Sequence, residues 1–146
     1  MKLSTKSRYG LRILLQIALD KLNGKKLSQG RTISEKQEIT DAYLEQIMIP
    51  LKRGGLVGTV RGCNGGYELR KDPKDVSVLE IIELFEGGIN LAECVRGNEK
   101  CHRTESCSTL SVWRHLAEVF RKEAASITLA SIIEDYRKNV SCDYVI

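Results

Sequence analysis

Thr40 to Leu69, TDAYLEQIMIPLKRGGLVGTVRGCNGGYEL, is the stretch that decides the fold. Thr40-Asp41 offers an N-cap, and Leu44, Ile47, Met48 and Leu51 follow at i, i+3, i+4 and i+7. One face of the resulting helix is therefore apolar, with Tyr43, Glu45 and Gln46 on or near the exposed side. Gly54-Gly55 stops it. Two short β-prone runs, Leu56 to Val60 and Tyr67 to Leu69, then flank Arg61-Gly-Cys-Asn-Gly-Gly66, which predicts a β-hairpin with an Asn-Gly in its loop. The tip combines Arg61 with three glycines, so backbone can approach a surface closely while a guanidinium reaches forward.

Upstream, Thr5 or Ser7 can cap a helix whose apolar positions Tyr9, Ile13, Leu14, Ile17 and Ala18 repeat every 3.6 residues until Asn23-Gly24. Thr32-Ile-Ser-Glu35 has capping-box spacing and predicts a short helix ending near Ile39, immediately before the Thr40 cap. Three helices followed by a basic hairpin describe a winged helix-turn-helix. In that arrangement the second helix of the turn fits a major groove and the thin wing lies along phosphates or enters the minor groove. The fold expectation is thus mainly α with a small β-hairpin: a DNA-binding unit over residues 1–76, and a second region over 77–146 holding a cysteine loop at about 90–108 and a long dimerisation helix.

Downstream, Ser77-Val-Leu-Glu80 is another capping box, opening a helix with Val78, Ile81, Ile82 and Phe85 on one face and Gly87-Gly88 as its stop. Ser108 or Thr109 starts what should be the longest helix, where Trp113, Ala117, Phe120 and Ala124 step by three and four beside Leu116 and Val119. Such a seam resembles a coiled coil and suits a symmetric dimer, the alternative being a helix that simply covers the winged unit. A final short helix is expected to begin at Ile127-Thr128-Leu129 and run through Ile132, Ile133 and Tyr136, with a loosely ordered tail from Asn139 to Ile146.

Charge divides the chain. Residues 1–74 carry 15 Lys+Arg against 7 Asp+Glu, whereas residues 75–146 carry 8 against 12, so a net +4 hides a +8 half joined to a −4 half. A basic half suits a polyanion such as duplex DNA. No apolar run reaches the roughly 18 residues of a membrane span and the N-terminus lacks a signal-peptide core, so the expectation is a cytoplasmic protein without membrane contact. Two histidines without a nucleophile partner, and a glycine loop lacking the Lys-Ser/Thr ending of a phosphate loop, argue against an enzyme and against a small-molecule substrate.

Three of the five cysteines, Cys94, Cys101 and Cys107, fall within fourteen residues of polar sequence. Clustered thiols in a reducing compartment usually coordinate something, and thiolate suits zinc or iron-sulfur far better than magnesium or calcium. Three cysteines leave one coordination position unassigned.

At this point several strings resemble a known family. They are the N-terminal Met-Lys-Leu-Ser-Thr-Lys-Ser-Arg-Tyr-Gly, Thr32-Ile-Ser-Glu-Lys-Gln-Glu-Ile-Thr40, Tyr43-Leu-Glu-Gln46, the wing Val60-Arg-Gly-Cys-Asn-Gly-Gly-Tyr67, the three spaced cysteines and Val112-Trp-Arg114. Together, over about residues 1–136, they resemble the IscR-type iron-sulfur cluster regulators. The resemblance implies a homodimeric bacterial transcription regulator that binds a pseudo-palindromic operator. It implies a cluster that tunes that binding, 2Fe-2S in the usual case and 4Fe-4S in some relatives. Carried over by position, Thr40, Ala42, Tyr43, Glu45 and Gln46 would face the major groove, and Arg61 with Gly62 the minor groove. Gln can pair with adenine and Glu can accept from cytosine, so Glu45 reads as a selectivity element.

By the same resemblance Cys94, Cys101 and Cys107 would bind the cluster. The fourth ligand stays open, because Leu110 occupies the place of the IscR histidine and Arg8 the place of an N-terminal carboxylate used by some relatives. His102 is the nearest imidazole, Glu99, Glu105 or Ser108 could supply oxygen, and Cys63 and Cys142 are secondary candidates. Three rivals stand beside this reading. They are a cluster-free regulator that senses thiols or binds a partner protein, a zinc-stabilised DNA-binding protein, and a small iron-sulfur scaffold or electron-transfer protein without DNA.

Overall fold

A computed structural model describes residues 2–89, 91–96, 101 and 103–142. Helix α1 (Thr5–Leu22) runs through the centre of the main core, with Ile13, Leu14, Ile17 and Ala18 buried along one side. Its cap is Ser4, whose hydroxyl accepts from the Ser7 N–H at 3.2 Å, so the cap lies one residue before the first expected one, Thr5. Glu86 adds a second anchor. It accepts from the Ser4 N–H at 2.8 Å and from the Ser7 hydroxyl, placing a carboxylate at the positive end of α1.

Helix α2 (Gly30–Gln37) begins two residues before the expected capping box, and Thr32 does not cap it. The reason lies in the preceding residue pair. Ser28 exchanges two backbone hydrogen bonds with Tyr67, at 2.9 and 2.8 Å, which fixes the chain there and sends it into helix directly afterwards. Glu38 ends α2 in the left-handed region, with φ at 55°, and so makes the sharp turn of the helix-turn-helix.

Thr40 caps α3 (Asp41–Arg53) as expected, accepting from the Tyr43 N–H at 3.2 Å. Leu44, Ile47, Met48 and Leu51 are all buried. Strands β1 (Val57–Val60) and β2 (Gly66–Leu69) pair antiparallel, Val57 opposite Leu69 and Val60 opposite Gly66, which makes the wing. At its tip Gly62 takes φ 119°, and a Cβ on Gly65 would lie 2.2 Å from the Val60 carbonyl oxygen. Glycine is required at both positions for the loop to close.

A 3-10 turn at Pro73–Asp75 leads to α4 (Val78–Glu86), capped by the Ser77 hydroxyl and ended by left-handed Gly87. Helices α5 (Leu110–Ser126) and α6 (Leu129–Cys142) complete the chain. At 17 residues α5 is one shorter than the 18-residue α1, so it is not the longest helix. The expected loose tail is also corrected: α6 continues through Asn139 to Cys142, while residues 143–146 lie outside the described residues. The α5–α6 junction is stapled to the head of α4 by Val78 N–H to Ile127 O at 2.9 Å and Leu129 N–H to Val76 O at 2.8 Å. That staple brings Leu129 and Ile133 of α6 into the core around α1.

Candidate functional site

The exposed side of α3 and the wing form one continuous surface. Thr40, Ala42, Glu45 and Gln46 are exposed on α3, and Arg61, Gly62, Cys63 and Asn64 are exposed at the wing tip. Lys52 and Arg53 occupy the last turn of α3. Tyr43 differs from the others: it is half-buried, its ring edge-on to Tyr9 at 6.0 Å, and the Arg12 guanidinium lies over the Tyr9 ring, 5.0 Å from its centre. Its aromatic body thus belongs to the core packing, which leaves only its outer edge for contact.

Glu45 is engaged within the subunit. Its Oε1 accepts a hydrogen bond from the Tyr67 hydroxyl on β2, and its Oε2 lies 3.9 Å from the Lys52 ammonium. The same ammonium sits 5.9 Å from the centre of the Tyr67 ring. Burial first, and then the hydrogen bond and charge of Glu45, push the Tyr67 phenol well above its usual pKa, so it remains a donor.

Behind this surface lies a buried carboxylate. Asp20, 2% exposed, accepts from Ser28 Oγ at 2.9 Å and Gln16 Nε2 at 3.0 Å, and meets Lys36 and Lys25 at 3.4 and 3.5 Å. Burial alone would raise its pKa, but the Ser28 hydrogen bond and the two ammonium groups outweigh that and hold it below the usual carboxylate range. Hydrogen bonds therefore run from α1 through Ser28 to the backbone of Tyr67, and from its hydroxyl to α3.

The sequence reading identified neither Tyr67 nor Lys52 as partners of Glu45, because the hydroxyl comes from 22 residues away and no local period announces it. Asp20 left a usable signal. It falls seven residues after Ile13 and three after Ile17, on the buried stripe of α1, where a charge needs partners.

The cysteine loop is described in part. Cys94 is half-buried on a 3-10 turn (Glu93–Arg96) that packs on α5, and Cys101 is exposed. Half-buried Cys107 has its sulfur 3.3 Å from Thr109 Oγ1, and its carbonyl accepts from the Leu110 N–H at 3.2 Å. The Thr109 hydroxyl, then the backbone N–H groups at the start of α5 and the nearby Arg103, draw the Cys107 thiol below its usual pKa. Thiolate is the form that binds metal, so the donor chemistry fits an iron-sulfur group. Among the described residues, however, no three Cys, His, Asp or Glu side chains gather into a coordination site. Ser108 and Glu105 are exposed, while His102, Glu99 and the side chain of Cys142 lie outside the described residues.

Comparison with known proteins decides the family. A family model described as "Rrf2: Iron-dependent Transcriptional regulator" matches residues 3–135. The chain belongs to the Rrf2 family. A protein of Synechocystis sp. named as an HTH-type transcriptional regulator is 38% identical over 94% of this Rrf2 chain and 90% of its own length. The regulator IscR of Serratia proteamaculans is 35% identical over 92% of this chain and 80% of its own. Among solved structures, CymR, the global cysteine regulator of B. subtilis, superposes with a TM-score of 0.74 at 29% identity, over 92% of this chain and 97% of its own. The Synechocystis and Serratia relatives are named as HTH-type transcriptional regulators and CymR as a global regulator, none as an enzyme, and the winged-helix expectation holds for this Rrf2 chain. Among the described residues no helix is long and apolar enough to cross a membrane.

Proposed function

We propose that this chain is a cytoplasmic, homodimeric transcription regulator that binds a pseudo-palindromic duplex operator, with binding controlled by an iron-sulfur cluster on Cys94, Cys101 and Cys107. The observation that carries the DNA reading is the surface on which α3 and the glycine-tipped wing lie side by side in the +8 half of the chain. Thr40, Ala42, Glu45 and Gln46, with the edge of Tyr43, would meet base edges and phosphates, and Arg61 with Gly62 would follow the minor groove. The division into a DNA-binding unit over 1–76 and a regulatory region over 77–146 belongs to the same reading.

Dimerisation is assigned to α5. Val112, Trp113, Leu116 and Val119 are 42–52% exposed along it, a far larger apolar stripe than a solitary helix surface needs. A second copy covering that stripe would set the distance between two recognition helices, as half-sites about one helical turn apart require.

Bound to the three thiolates, a cluster, 2Fe-2S in the usual case, would supply a redox- and iron-responsive centre. The residues themselves explain how loop order could reach DNA. Cys107 is tied to the first turn of α5, and Cys94 rides on the 3-10 turn packed against that helix. Drawing residues 94–107 together would therefore load α5 at its N-terminal end and shift the dimer seam. A regulator without a cluster that senses thiols is the second reading. It is favoured by the likeness to the cysteine regulator CymR.

The deciding experiment is anaerobic purification with iron, sulfide and visible-absorption analysis, alongside a Cys94→Ala, Cys101→Ala, Cys107→Ala triple variant and DNA binding by both. A coloured wild type with stoichiometric sulfide, a colourless variant and different operator affinities would support the cluster reading. Colourless wild type that resists reconstitution yet binds DNA would favour thiol sensing. Identical affinity of cluster-loaded and cluster-free protein for every operator would break the proposed coupling.

A further inference from the structure

The DNA-facing surface contains one contact that works against direct base readout. Glu45 sits on the exposed side of α3, yet both of its carboxylate oxygens are already engaged, one by the Tyr67 hydroxyl and the other by Lys52. We propose that Tyr67 is a positioning residue for sequence selectivity: its hydroxyl holds the Glu45 carboxylate against the wing, so that Glu45 reads a base only by giving up that bond. This rests on the reading of α3 as the groove-facing helix.

Tyr67 is well placed for the task because its backbone cannot swing. It pairs with Thr59 of β1 on one side and exchanges two hydrogen bonds with Ser28 on the other, and Ser28 is held in turn by buried Asp20. Tyr67 is 7% exposed and packs in the main core, so the hydroxyl reaches α3 from a fixed base. Glu45 is the movable partner, its side chain 56% exposed.

The consequence concerns preference more than affinity. Cytosine N4 is the base-edge donor that a carboxylate accepts from. In the wild type, contact with cytosine replaces the Tyr67 hydrogen bond, and the net preference is the difference between two similar bonds. At other bases the bond to Tyr67 and the charge of Lys52 keep the carboxylate from facing phosphate uncompensated. Without the hydroxyl, Glu45 gains more from cytosine and costs more elsewhere. Preference for cytosine at the facing base pair should rise on the order of tenfold in Tyr67→Phe, the scale of one hydrogen bond to a charged group. Lys52→Met removes the other partner of the same carboxylate and should move the preference in the same direction by less.

The test is selection from a duplex DNA library randomised across both half-sites, read by sequencing. The full chain purified without oxygen is compared with Tyr67→Phe, Lys52→Met, Glu45→Gln and the Tyr67→Phe, Glu45→Gln pair. A shift toward cytosine at one symmetric pair of positions in Tyr67→Phe, absent in the Glu45→Gln background, supports the proposal. A merely structural Tyr67 would lower affinity for all sequences alike and leave the preferences in place. An unchanged motif in both Tyr67→Phe and Lys52→Met overturns the proposal while leaving DNA binding intact, as does an equal shift when Glu45 is already Gln. Should Tyr67→Phe fail to fold, Lys52→Met still decides, since its site is at the outer end of α3. Wild type that enriches no sequence would overturn the DNA reading itself, and this proposal with it.

Discussion

The winged half of the molecule and the α5 region treat their unpaired groups in opposite ways. Around α3, polar side chains answer one another across elements: Asp20 meets Ser28, Ser28 pairs with the backbone of Tyr67, and Tyr67 meets Glu45. Along α5 the unanswered groups are apolar, and Trp113, Leu116, Val119 and Phe120 stand open. Hydrogen bonds closed within one subunit preorganise a surface for its target before the target arrives. An open apolar stripe does the reverse, since it is completed only by more protein. On the proposed function, the difference teaches that the DNA-reading surface is a property of one chain, whereas the α5 region would be finished by assembly.

The sharpest way to break that contrast is to place a charge in the open stripe. Leu116→Glu should lower the dimer's association free energy by about 2–4 kcal/mol, the scale of a central interface residue. Sedimentation would then show monomer at concentrations where wild type is dimeric, and two-half-site DNA binding would fall with it. Because Leu116 is 44% exposed in the subunit, helix content should be retained. Unchanged dimer mass would mean that α5 is not the seam, and the contrast drawn here would lose its second term.

On the closed side, Asp20→Asn removes the charge at the root of the network. Loss of the charge-assisted bonds from Ser28, Lys36 and Lys25 should cost about 2 kcal/mol at neutral pH by urea unfolding. The folded pKa of Asp20 lies below its ordinary 3.8. Its contribution is therefore present above about pH 4 and is lost as pH falls through the folded value, so the gap between variant and wild type should narrow in acid. A gap that stays constant with pH would assign the loss to packing rather than to the ionised carboxylate.

Legibility in the sequence follows the same division. Periodicity found the buried faces of α1 and α3, because an apolar residue at i, i+3, i+4 and i+7 reports burial wherever it occurs. Caps were legible where the cap was local, as at Thr40 and Ser77. The start of α2 was not, because Ser28 is fixed by Tyr67, a residue 39 positions on, and that pairing overrode the Thr32 capping box. Glu45 was legible as an exposed helix position, but not as a group already held from the wing. The continuation of α6 to Cys142 was missed although Val140 extends the spacing of Ile133 and Tyr136, because the polar Arg137-Lys-Asn139 run before it reads as a tail. Cysteine spacing suggested a ligand set; spacing alone cannot say whether the loop is closed in the free protein.

The smallest predicted effect separates two duties that fall on one oxygen. Thr40 Oγ1 caps α3 by accepting from the Tyr43 N–H, and the hydroxyl proton stays available to a phosphate. Thr40→Ala should lose both, about 1 kcal/mol of stability for the cap together with DNA affinity. Thr40→Ser should keep both. Thr40→Asp is the informative substitution, because a carboxylate caps as well as a hydroxyl and suits the helix N-terminus, yet it has no proton to donate and repels phosphate. Its urea midpoint should match wild type while its affinity for duplex DNA falls. If the Asp variant bound DNA as tightly as wild type, the N-terminus of α3 would lie away from the phosphate backbone. The reading surface would then have to be turned toward the wing, where Tyr67 and Glu45 already meet.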